Sequence, residues 1–118
     1  MRDLPCPCCG FLTLEGEYGS YAICPVCDWE DDPVQLANPS SSGGANTRSL
    51  AEAQALALAK YPESLQVAVG NRRGRAWRPL SATDLEAANA KRAAKHWNAQ
   101  AILHESEAYW SEPQAGLQ

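Results

Sequence analysis

The chain has 118 residues, with 8 Gly, 8 Pro and a formal net charge of −4, a size that supports one domain with a modest core. No apolar run approaches the roughly 18 residues of a membrane span, and the segment Met1 to Pro5 carries no apolar signal sequence, so the expectation is a soluble protein of the cytoplasm. Charge is uneven: residues 1–45 hold one basic and seven acidic side chains (net −6), residues 46–80 six and two (net +4), and residues 81–118 three and five (net −2), which sets the N-terminal third against phosphate binding.

Two cysteine pairs dominate that acidic third. Cys6-Pro-Cys-Cys9 and Cys24-Pro-Val-Cys27 give the spacing C-x2-C-x14-C-x2-C, close to the C-x2-C, roughly 15–20 residues, C-x2-C pattern of a four-thiolate zinc site. Each pair has Pro after its first cysteine (Pro7, Pro25), which fixes φ, and Gly10 or Asp28 stands where the turn calls for a left-handed residue. Cys6, Cys9, Cys24 and Cys27 are the expected ligands of one structural Zn2+. Disulfides fit a reducing cytoplasm poorly, and a thioredoxin-like pair would need a βαβ context that neither motif has. The fifth thiol, Cys8, is either a spare, unliganded side chain pointing outward, the plainer reading since four ligands already close the site, or an alternative ligand sharing the metal with its neighbours. Phe11 to Leu14 and Ser20 to Ile23 read as two strands joined by the glycine-bearing Glu15 to Gly19, a hairpin that would bring the pairs together.

After the second pair, Asp28-Trp-Glu-Asp-Asp32 leads through Pro33 to Leu36 into the polar loop Asn38 to Gly44. Trp29 has two readings, a cover over the metal site or an interface anchor. Glu30, Asp31 and Asp32 are a solvated loop on one reading. On the other, they join Trp29 in an acidic surface that steers a basic partner. Ser49-Leu-Ala-Glu52 is a capping box opening a helix over 49–61, with Leu50, Ala53, Ala57, Leu58 and Tyr61 on its apolar face and Pro62 at its end.

These residues also carry a resemblance. Cys6-Pro-Cys-Cys-Gly10, Ile23-Cys-Pro-Val-Cys27, Trp29-Glu-Asp-Asp32, Gly43-Gly-Ala-Asn46, Ser49-Leu50 and Glu52-Ala53 resemble the cysteine-rich CPCC domain family of small bacterial proteins over about residues 4–61. The resemblance implies a metal-binding ribbon. Because such domains recur beside bacterial polymorphic toxins, it also implies an immunity role. It leaves the chain after Tyr61 unexplained.

Leu65 to Val69 has β-branched residues at alternate positions, either a strand or an irregular covering segment. Arg72, Arg73, Arg75, Trp77 and Arg78 then crowd into seven residues, the one stretch resembling a nucleic-acid contact surface, with pairing to the acidic ribbon and a solvated loop or protein contact as the competing readings. Thr83-Asp-Leu-Glu86 reads as a second capping box, opening a helix to about Trp110 that would extend about 39 Å. Its distal half places Trp97, Ala101, Ile102 and Tyr109 on one face, beside Leu103 and Trp110, which suggests packing on the first helix or on a second copy of the chain. His96 and His104 read as surface residues. No phosphate loop, HExxH or serine elbow is present, so the expectation is a non-enzyme.

The expected fold is therefore α+β: a small zinc-ribbon hairpin, then a helix, then a long C-terminal helix. Residues 1–62 would form the ribbon with its first helix, and residues 63–118 a basic linker loop and helical extension packed on it as one unit. The expected function is a zinc-stabilised protein-binding module, an immunity protein neutralising a cognate toxin such as a nuclease. The alternative is a nucleic-acid-associated ribbon acting through Arg72 to Arg78, and a structural homodimer is the third reading.

Overall fold

The computed structural model describes residues 2–94 and 100–111. It is a small mixed α/β structure. In chain order the elements are β1 (Leu4–Pro5), β2 (Leu12–Leu14), α1 (Pro33–Ala37), α2 (Leu50–Lys60), β3 (Val67–Ala68), β4 (Asn71–Arg72) and α3 (Ala82–Ala94), followed by single 3-10 turns at Glu105–Glu107 and Tyr109–Ser111. Among the described residues, no helix is long and apolar enough to cross a membrane.

The strand pairing differs from the expected hairpin. β2 turns back to pair antiparallel with β1, Leu4 opposite Leu14, and does not pair with Ser20 to Ile23. The physical reason lies in Tyr18. Its ring is buried, its hydroxyl donates to the Pro5 carbonyl at 2.6 Å, and its amide donates to Leu103 O. Gly16 and Gly19 flank it at φ 75° and 92°, a conformation open to glycine that lets the chain dive inward instead of continuing a ladder. The segment Ser20 to Ile23 is instead held by Asp31 and Glu30: Tyr21 N donates to Asp31 O, Asp31 N to Ala22 O, and Ile23 bridges Glu30. Each cysteine turn is thus closed by its own short antiparallel ladder.

α2 forms where the capping box places it. Ser49 Oγ accepts from the Glu52 amide and Glu52 Oε1 from the Ser49 amide, which satisfies two donors that the first turn leaves open. Its buried stripe includes Gln54, whose Nε2 donates to Pro7 O and to the Tyr109 hydroxyl while Oε1 accepts from Leu80 N. One side chain therefore ties the first cysteine turn to the chain beyond Pro79. The β3–β4 turn has Val69 and Gly70 at φ 50° and 75°, the double positive φ that suits a two-residue hairpin.

The second capping box forms two residues earlier than expected. Ser81, not Thr83, caps α3: Ser81 N donates to Asp84 Oδ2 and Asp84 N to Ser81 Oγ. Arg78 forks onto the same carboxylate. Burial pushes the Asp84 carboxyl up, but the bonds from Arg78 and Ser81 outweigh it and lower the pKa. The expected continuous helix to Trp110 does not form, because residues 100–111 spend their backbone groups on the ribbon. Ile102 N donates to Pro33 O and Leu103 O accepts from Tyr18 N, so these groups cannot serve helical bonds. Trp110 packs edge-on against Tyr18 at 6.0 Å between centroids. The apolar residues Ile102, Tyr109 and Trp110 thereby pack against this chain's own core. His96 and Trp97 lie outside the described residues.

Gly10 is the tightest point of the core. Its φ is 80°, and a Cβ there would lie 2.3 Å from Trp77 Cε3. Gly10→Ala is expected to destabilise the protein by about 2–4 kcal/mol through overpacking and left-handed strain, measurable as a lowered urea midpoint with unchanged slope.

Candidate metal centre

The two cysteine turns have the same backbone bonding. In the first, Cys6 N donates to Phe11 O (2.9 Å) and Gly10 N to Cys6 O (2.8 Å); in the second, Cys24 N donates to Trp29 O and Asp28 N to Cys24 O, both at 2.9 Å. The left-handed residue falls at the same place in each, Gly10 at φ 80° and Asp28 at φ 67°. Proline supplies the fixed φ in both turns, and Asp is among the few residues that tolerate the left-handed region. The two loops meet sulfur to sulfur.

Cys6 Sγ lies 3.6 Å from Cys27 Sγ, and Cys9 Sγ 3.7 Å from Cys24 Sγ. The four ligand atoms all fall within 4.8 Å of one another. Sulfurs about 2.3 Å from a central zinc at tetrahedral corners stand about 3.8 Å apart, so the separations fit the ion, whereas a disulfide needs about 2.05 Å. All five cysteines are free thiols. Cys6, Cys9 and Cys24 have no exposed surface, and four soft donors leave no position for water, the closed arrangement of a structural site. Thr13 Oγ1 (3.1 Å) and the Val26 amide (3.4 Å) also lie against Cys24 Sγ, contacts of the kind that orient a metal-bound thiolate.

The protons of these sulfurs are unequally held. Burial pushes the Cys6 thiol up, and hydrogen bonding with Cys24 pushes Cys9 up. Hydrogen bonds with Cys24 and Cys6 hold Cys27 well down. Four thiolates cannot crowd together without a cation to neutralise them, so metal binding at this site releases protons. A bound zinc would be held by Cys6, Cys9, Cys24 and Cys27, and what it would supply is cross-linking of the two turns.

Cys8 points inward. It is 2% exposed, stands outside the four-sulfur set, and its thiol is pushed up by hydrogen bonding to Cys27 and then by burial. It lines a groove of about 450 Å³ with Val26, Cys27, Trp29, Leu56 and Tyr61.

The acidic residues are divided between interior and surface. Trp29 is 3% exposed and belongs to the core cluster that also holds Cys6, Cys9 and Cys24. Asp31, 1% exposed, accepts from Ser20 N and Oγ. Asp32 caps α1, its Oδ1 accepting from Val34 N and Gln35 N and its Oδ2 from Ala45 N. These three side chains do not form an outer face in this structure: Trp29 is taken into the core, Asp31 turns Oδ2 to the Ser20 amide and hydroxyl, and Asp32 is held by the amides of Val34, Gln35 and Ala45. Glu30 is half-buried and Asp28 exposed.

The basic segment divides in the same way. Arg72 and Arg75 are exposed, while Arg73 and Trp77 are buried. Trp77 Nε1 donates to Pro7 O, Arg73 Nε to Cys9 O, and Gly74 N to Gly10 O. Arg78 is engaged by Asp84 and by Tyr109 O. The segment grips the backbone of the first cysteine turn. His104 is an exposed residue 3.4 Å from Glu17. Two buried amides escaped the sequence reading. Gln35 donates to Ser41 O, Asn46 O and Arg48 O, and Gln54 sits one turn after Leu50 inside the apolar stripe. That position is the one available signal, since a polar residue on a buried face implies internal partners.

The family model described as Cysteine-rich CPCC matches residues 4–61, a span holding all four clustered sulfurs. A comparison with curated proteins found no match. Cys24→Ser is expected to abolish stoichiometric zinc binding and unfold the two turns, since a structural zinc carries roughly 10–16 kcal/mol of apparent binding free energy. Cys8→Ser is expected to retain about one zinc per chain by elemental analysis, because four ligands already close the site.

Proposed function

Residues 4–61 belong to the cysteine-rich CPCC family, and we propose that the domain is a zinc-stabilised, non-catalytic protein-binding module. The observation that carries this reading is the four-sulfur set, with separations of 3.6 and 3.7 Å along two of its edges. Such a site braces a fold and offers no vacant position for chemistry.

What the metal would brace is the ladder of the second turn. Tyr21 is 51% exposed and Ile23 62% exposed, and Tyr21 takes φ 59°, a strained choice for a non-glycine residue that the surroundings must hold. Asp31 holds it through Ser20 N and Oγ and its own carbonyl. Glu30 stands across from Ile23, and Asp28 is exposed at the turn. Aromatic and aliphatic side chains beside carboxylates suit a basic protein partner. Asp31 supports this strip through Ser20, and the Trp29 carbonyl closes it by accepting from Cys24 N.

The fullest form of the proposal is an immunity protein that blocks a basic toxin, a nuclease among them, in the bacterial cytoplasm. The nucleic-acid reading keeps only Arg72 and Arg75 as exposed members of its five residues, too few for a strong counterion-release term. The test pairs two assays. Complex formation with the product of the adjacent reading frame is expected, weakened at least about 30-fold by Tyr21→Ala with Ile23→Asp, the loss of two hot-spot residues, at unchanged zinc content. Fluorescently labelled RNA and DNA oligonucleotides are expected not to bind at low salt. Oligonucleotide affinity that falls steeply with salt and disappears in Arg72→Ala with Arg75→Ala would overturn the proposal in favour of nucleic acid.

A further inference from the structure

Arg73 is 6% exposed, and all its side-chain bonds go to neutral carbonyls. Nε donates to Cys9 O (3.0 Å), Nη1 to Pro62 O (2.6 Å) and Leu65 O (2.8 Å), and Nη2 to Tyr61 O (3.0 Å). The guanidinium carbon lies 4.2 Å from the Phe11 ring centre and 5.6 Å from that of Trp77. Among the described residues no carboxylate stands within ion-pair distance of it; Glu63 attracts it from farther off, and more weakly than Cys9 does. A buried cation needs compensating negative charge nearby, and carbonyl dipoles and ring faces supply only part of it.

The charge that could balance it is the metal centre. A divalent ion with four thiolates carries a formal charge of −2, itself buried and in need of a cation. Arg73 reaches the carbonyl of Cys9, one of the ligand residues, and its backbone bridges Phe11, which closes the same turn. We infer that Arg73 is the internal counter-charge of the four-thiolate centre, a positioning residue supplied from outside the 4–61 span. Its Nε fixes the Cys9 carbonyl of the first turn, its two terminal nitrogens hold the chain just after α2, and its charge offsets the sulfurs. Carbonyls at the end of α2 would welcome a cation on their own account, so the experiment must separate charge at the metal from capping of the helix.

The inference rests on the metal reading above. Zinc affinity is measured by chelator competition on the full chain for wild type, R73K and R73Q, and the cobalt-substituted proteins are compared by their thiolate-to-metal charge-transfer bands. Gln keeps amide donors without charge, whereas Lys keeps charge without the fork. Affinity is expected to fall about 10–100-fold in R73Q, the range for loss of an outer partner of a metal ligand, and by less in R73K, with the bands shifted in R73Q alone. Zinc affinity in R73Q equal to or tighter than in R73K would overturn the inference and leave capping as the role. Failure of both variants to fold at saturating zinc would overturn it as well, assigning Arg73 to packing. A wild-type protein that takes up no metal would remove the metal reading itself, an outcome distinct from either.

Discussion

Four sulfurs held within one buried site cannot all be thiolates unless a cation stands between them, and on this constraint the N-terminal half depends. The two turns that present the sulfurs are short and contribute little apolar surface of their own. β1 and β2 span two and three residues, less than an isolated hairpin needs for stability. A metal joining them would replace hydrophobic area that a chain this small lacks. The common bonding of the two turns, with a left-handed residue at the same step in each, shows what each must satisfy: an amide turned inward and a carbonyl turned back.

The first turn is also held from outside. Gln54, Arg73, Gly74 and Trp77 take up the outward carbonyls of Pro7, Cys9 and Gly10. The chain after Tyr61 is therefore no appendage; it supplies polar and aromatic groups that the ribbon would otherwise lack. Buried amides do similar work elsewhere, with Gln35 binding three carbonyls of the loop that runs from α1 to α2. A loop rich in Ser and Gly costs entropy to order, and a fully satisfied amide at its centre offsets part of that cost.

The sequence reading was most secure where local chemistry decides the outcome. The cysteine spacing, the paired prolines and the Ser49–Glu52 capping box each act over a few residues, and each forms as read. Long-range competition was out of reach. Phe11 to Leu14 reads as pairing forward with Ser20 to Ile23 but pairs backward with β1, and the choice is made by Tyr18, whose burial against Pro5 and Trp110 no local pattern reveals. Residues 100–111 have helical composition, yet their backbone groups are claimed by Pro33 and Tyr18, a tertiary override of propensity. The arginines of the 72–78 segment are alike in sequence. Only the fold separates buried Arg73 from exposed Arg72 and Arg75.

The acidic stretch after the second turn teaches the same lesson about charge. Asp31 and Asp32 read as an outward patch because carboxylates are normally exposed, but each finds backbone or hydroxyl donors at short range and serves as a local organiser. X-ray absorption at the zinc edge of the purified full chain tests the central claim most directly. The account predicts one ion per chain with four sulfur neighbours at about 2.3 Å and no light-atom ligand. A first shell containing nitrogen or oxygen, or sulfur neighbours fewer than four, would contradict it.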